Sequence, residues 1–213
     1  MTLDILKTPA HIFALIVSLI LGDMGKDPEL PHEVTMQEFK NLEADVDAID
    51  DLDTANRRLN HDELLDKAIS LGMFSRCLNY MAEPLRSNVL LGMKLGAQLN
   101  IPQLFQGENA PGSLKGLSML SGNPQAYALK YLETLFDAAG ASGNVDARGS
   151  ISMTQPLCES YLLGYPILER AIEEAPTTGD ICFRKAYDAV LLNRAQLLID
   201  QGVQSQLFHN RSI

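Results

Sequence analysis

The chain has 213 residues, 46% of them apolar, with no Trp, 6% aromatics and a formal net charge of −10. That apolar share supports a packed core and excludes global disorder, and the scarcity of aromatic and β-branched runs favours helices over strands. The charge argues against nucleic acid and anionic membrane surfaces as partners. It is concentrated in residues 23–66, which hold 14 acids against Lys26, Lys40, Arg57 and Arg58.

The first element is the most apolar stretch, "HIFALIVSLILGD" (11–23). Its uninterrupted run, Ile12–Val17, is too short to span a bilayer, which takes about 20 apolar residues. "MTLDILK" before it lacks a basic segment and no A-x-A site follows, so a secretory signal is not expected. Thr8 suits an N-cap, Pro9 the first helical position and Gly22 the end of a helix. A helix this apolar on nearly every face belongs in a core or an interface.

"KDPELPHE" (26–33), with two prolines, reads as a loop. "TMQE" (35–38) reads as a capping box opening a helix to about Ile49, with Met36, Phe39, Leu42, Val46 and Ile49 on one stripe. Glu43, Asp45, Asp47, Asp50, Asp51 and Asp53 form its acidic side. A second cap, "NHDE" (60–63), starts a helix that Gly72 ends. Pro84 divides the next stretch into helices over 73–82 and 84–99, because proline removes an amide and clashes with the preceding turn. Gly92 and Gly96, four apart, predict a close helix–helix approach.

"IPQLFQGENAPGS" (101–113) is the one candidate for an internal boundary in what otherwise reads as a single domain, 1–213. A short helix over 114–120 follows, then a helix capped by Asn123 and Pro124 and ended by Gly140. "GASGNVDARGS" (140–150) reads as a loop. Residues 154–175 read as helical, with a kink or break near Gly164–Pro166. The last helix, 181–201, is capped by Asp180 and ended by Gly202, its apolar stripe running from Ile181 through Ala186 and Val190 to Leu198.

A search for chemistry yields little. His11, His32, His61 and His209 pair neither with one another nor with a Cys at metal-ligand spacing. "ELPH" (29–32) has a di-iron spacing, but its prolines argue against a helix there. There is no phosphate loop ending in Gly-Lys-Ser/Thr and no G-x-S-x-G elbow. Cys77, Cys158 and Cys182 stand alone, which suits buried free thiols in a reducing compartment. Arg57–Arg58 and Arg184–Lys185 lack the aromatic interleaving of a single-strand binder.

Three segments, "CLNYMAEPLRSNVLLG" (77–92), "GSISMTQPLCESYLLGYPILERAI" (149–172) and "LLIDQG" (197–202), together resemble an uncharacterised all-helical bacterial family associated with type VI secretion and related machinery. The resemblance covers about a third of the chain. It implies an accessory or scaffold component and no catalytic residues.

These readings converge on an all-α protein, an irregular bundle of about 8–9 helices. The expected function is a non-catalytic adaptor, chaperone or structural component of a bacterial multiprotein assembly, cytoplasmic, with no cofactor or metal and no membrane insertion. Its partners are other proteins, including a basic partner surface or further copies of the chain. The interface candidates are Phe13, Ile16 and Ile20 on the first helix and Glu43, Asp47, Asp50, Asp51 and Asp53 on the acidic segment. The alternative is a helical enzyme whose site is assembled from dispersed residues such as His61, Glu63, Asp66 and Tyr80.

Overall fold

The structure, a computed structural model, describes residues 5–42, 49–96, 112–141, 153–174 and 179–200. Among these there are only helices and turns, and the protein is all-α. Nine α-helices lie within the described residues: α1 (Pro9–Met24), α2 (Leu30–Leu42), α3 (Ile49–Arg57), α4 (His61–Ser70), α5 (Ser75–Leu78), α6 (Leu85–Gly96), α7 (Pro124–Gly140), α8 (Gln155–Glu174) and α9 (Gly179–Asp200). A 3₁₀ segment, Gly112–Leu120, precedes α7.

Helix α7 is the axis of the fold. Every side chain from Ala126 to Glu133 is buried, so this stretch of the helix is covered on all sides. Leu129 and Leu132 face a core built from α1, α4 and α6, with Leu15, Leu21, Leu65 and Val89. Tyr127 and Tyr131 face a second core, against Leu117, Tyr161, Leu168 and Cys182 of the 3₁₀ segment, α8 and α9. A third cluster, Leu30, Val34, Leu64 and Ala68, packs α2 on α4.

Several local signals act as expected. The Thr8 hydroxyl accepts from the His11 amide, and Pro9 begins α1. Asn60 and Glu63 form a complete capping box on α4. Gly72, at φ +78°, ends α4 in a Schellman arrangement, with Met73 N–H donating to Ala68 O and Gly72 N–H to Ile69 O. Gly96 of α6 admits a close approach, whereas Gly92 meets its neighbour at ordinary contact distance. A Cβ on Gly92 would lie 3.7 Å from Lys130 Cβ, and one on Gly96 would lie 2.8 Å from Asp62 Oδ1.

Other expectations are corrected. Gly22 does not end α1, which continues to Met24. A Cβ there would make an ordinary contact, 3.5 Å from Glu133 Oε1. "ELPH" is not a loop throughout, because α2 begins at Leu30. Pro31 falls in its first turn, where a missing amide leaves nothing unsatisfied. Thr35 is therefore inside the helix and fully buried. Its hydroxyl donates to Pro31 O at 2.8 Å and accepts from Asn56 Nδ2 at 2.9 Å. The helix stops at Leu42, and Ile49 starts a separate one. The 73–82 helix shrinks to Ser75–Leu78. Asn123 precedes α7 without a side-chain cap, its amide donating instead to Ser121 O. Residues 155–174 form one helix that carries Pro166 inside it. The Tyr127 hydroxyl donates to Tyr165 O at 2.6 Å and the Tyr131 hydroxyl to Tyr161 O, so main-chain carbonyls of the turn before the proline receive side-chain donors. The 101–113 boundary lies almost wholly, and the 140–150 loop mostly, outside the described residues.

A candidate interaction groove

Helix α1 presents two apolar faces. The inner one, Ala14, Leu15, Val17, Ser18 and Leu21, is buried. Its single polar member, Ser18, donates to Glu133 Oε2 at 3.0 Å, and Glu133 Oε1 accepts from Lys130 Nζ at 3.0 Å. Both charged side chains are about nine-tenths buried. Burial pushes the Glu133 carboxyl up from its ordinary range, against the pull of Lys130 and Ser18. Further along, Lys26 bridges Asp23 at 3.0 Å and Asp137 at 3.2 Å, fastening the end of α1 to α7.

The outer face is open. Phe13 is 43% exposed and Ile20 55%, and Ile12, Ile16 and Met24 are exposed beside them. Together with the turn and helix over 73–80, this face walls a groove of about 430 Å³. One wall is Phe13, Val17, Ile20, Leu21 and Met24; the other is Met73, Phe74, Cys77 and Tyr80. Among the described residues, Arg76 is the one charged residue lining it. An apolar concavity of this size falls in the range of ligand and peptide sites, and contiguous exposed apolar surface marks an interaction site on a soluble domain.

The groove gathers only part of what the sequence nominated. Phe13 and Ile20 line it, and Ile16 is exposed alongside. Asp50 and Asp51 are exposed in the first turn of α3, away from these walls. Asp53 is drawn inward, with Arg57 Nε 2.6 Å from its Oδ2 and His32 Nδ1 3.8 Å from its Oδ1. Glu43 and Asp47 lie outside the described residues. Of the enzyme candidates, Glu63 accepts from the Asn60 amide at 3.0 Å and the His61 ring lies 3.3 Å from Asp62. Asp66 is half-buried on α4. Tyr80, 76% exposed, lies instead at the groove. Sequence reading missed Met73, Phe74, Arg76 and Cys77. The signal was the spacing of Met73, Phe74, Cys77 and Tyr80, which lie on one face within the segment read as a helix over 73–82.

A second polar cluster is structural. Asn56, fully buried, donates to Thr35 at 2.9 Å and to Glu38 at 3.3 Å and accepts from Lys67 at 2.8 Å, while Lys67 pairs with Glu38 at 2.7 Å. These bonds tie α2, α3 and α4 together. Among the described residues no three His, Cys, Asp or Glu side chains cluster as metal ligands. No described helix is long and apolar enough to cross a membrane.

The class these features define is an all-helical protein with an apolar surface groove. Over residues 1–212 the chain matches the profile of a family of unknown function, DUF6829, and it belongs to that family. Comparison with curated proteins and with solved structures returned no match.

Proposed function

We propose that this protein is a non-catalytic helical component of a bacterial multiprotein assembly, acting in the cytoplasm through protein–protein contacts at the α1 groove. The observation that carries the reading is the outer face of α1, where Phe13, Ile16 and Ile20 are exposed beside an apolar groove. Exposed aromatic and aliphatic side chains around one cation are the composition of interface cores, where charge is depleted. The resemblance of residues 77–92, 149–172 and 197–202 to a family tied to type VI secretion and related machinery supports an assembly of that kind.

The test is site-specific crosslinking in the native host with a photoreactive residue at position 20, compared with position 51 on α3. A discrete adduct from position 20, lost in Phe13→Arg, supports the reading. Adducts from position 51 alone would move the interface to the acidic segment. Absence of adducts from both would overturn the proposal.

A further inference from the structure

The groove beside α1 has buried and exposed lining side chains. Val17 and Leu21 are buried, while Phe13, Ile20 and Met24 stand exposed on one wall and Tyr80 on the other. Both walls are built from helix and turn. One is the continuous helix Pro9–Met24. In the other, the N–H groups of Ser75, Leu78, Asn79, Tyr80 and Met81 donate to carbonyls three or four residues back. Backbone groups paired in this way offer nothing to a bound chain. An extended peptide draws its affinity from main-chain bonds to a strand edge, and no described residue forms a strand. A peptide entering this groove must satisfy its own backbone, as an α-helix does.

The charge at the groove sets a second requirement. Arg76 is exposed, and its guanidinium has no ion pair or hydrogen bond among the described residues. The acids that flank the two walls in sequence are already held, Asp23 by Lys26 at 3.0 Å and Glu83 by Arg86 at 2.8 Å. The Cys77 thiol donates to Phe74 O at 3.2 Å. What the lining leaves for an occupant is the Tyr80 hydroxyl and a guanidinium, which carries donors and no acceptor. A carboxylate is the complement of that group.

We infer that the groove receives an amphipathic α-helix of a partner protein, its apolar stripe seated between α1 and the 73–80 wall and an Asp or Glu beside that stripe paired with Arg76. Phe13 and Met24 are the first and last residues of α1 that line the groove, eleven positions apart. That distance is about 16 Å, or about three turns of a bound helix. Such a helix is anchored by side chains at i, i+3 or i+4, and i+7. Met24 and Met73, unbranched and flexible, let the walls adapt to those anchors. The inference rests on the reading of the groove as a protein interface and names the form and charge of what it binds.

Peptide selection on the full-length protein tests it. Two displayed libraries of equal length, each long enough for about four helical turns, differ in pattern. One sets apolar residues at i, i+3 or i+4, and i+7 among strong helix formers; the other alternates apolar and polar residues around a central proline. The wild type is expected to select from the helical library alone. The selected peptides are expected to share an Asp or Glu beside the stripe and to gain helical dichroism on binding. Ile20→Glu alters an exposed position and is expected to abolish binding, with thermal unfolding checking that the variant folds. Arg76→Glu is expected to weaken a selected peptide about fivefold or more in fluorescence anisotropy, and exchanging the peptide's acid for Lys to restore it. Selection from the alternating library overturns the inference, as do binders indifferent to Ile20→Glu or binders without the acid. It is equally overturned if no helical peptide is selected while a fluorescent fatty acid binds in an Arg76-dependent way, which would make the groove a site for anionic amphiphiles. If position 20 still crosslinks to a protein in the host when no helical peptide is selected, the groove remains an interface and only the form of its occupant was wrong.

Discussion

The two faces of α1 are nearly alike in sequence and opposite in circumstance. Leu15 and Leu21 are shut into the first core, while Ile16 and Ile20, one position away from them, stand in the open. The contrast shows that apolar content does not decide burial here. What decides it is which side of the helix meets α6 and α7, and that side carries Ser18, which donates to Glu133. A buried carboxylate needs partners, so the inner face is the one able to supply a hydroxyl donor.

The largest expected effect breaks the inner face. Leu15→Asp places an unpaired charge in the core and should destabilise the protein by about 4 kcal/mol or more, enough to leave it unfolded at room temperature in chemical-denaturation or dichroism measurements. Next comes Glu133→Ala, which strands the Lys130 ammonium and should cost about 3–5 kcal/mol. The double variant Lys130→Met/Glu133→Leu should recover most of that loss in the same urea titration, because the charge is removed together with its partner. If the single and double variants are equally unstable, the pair acts through packing instead of charge.

A subtler effect is pH. Burial raises the Glu133 carboxyl, so the folded chain holds this proton more tightly than the unfolded one. That contribution is complete below the ordinary carboxylate range and is lost as pH rises through the folded value. The stability of the wild type relative to Glu133→Gln should therefore fall as pH rises above the ordinary carboxylate range, as read from urea midpoints. A difference that grows with pH would reverse the assignment. The smallest expected effect lies on the outer face. Ile20→Asp should change stability by less than about 0.5 kcal/mol, as surface substitutions do, while abolishing whatever the groove holds. A large loss of stability there would show that the two faces are not distinct in the isolated chain.

Much of the architecture was legible in short-range signals. Thr8–Pro9, Asn60–Glu63 and Gly72 act within a turn or two of where they stand, so their reading survives folding. The failures share a cause. Thr35 and Glu38 match a capping box but lie within α2, and their side chains serve Pro31, Asn56 and Lys67, the last two from distant parts of the chain. Half of the groove was nominated through Phe13 and Ile20. The other half, Met73 to Tyr80, was not, because its apolar spacing is the same whether the face is covered or bare.

From the sequence alone follow the all-helical class, the caps of α1 and α4, the close approach at Gly96, and a bounded N-terminal helix too short to span a bilayer. These depend on hydrogen bonds and side-chain volumes within a few residues, which composition and spacing encode directly. Only the tertiary structure decided which face of α1 is buried, that Lys130 and Glu133 neutralise each other inside the fold, and that α7 stands between two cores. Those outcomes depend on which distant helix arrives at each surface, and a periodic apolar stripe carries no address for its partner.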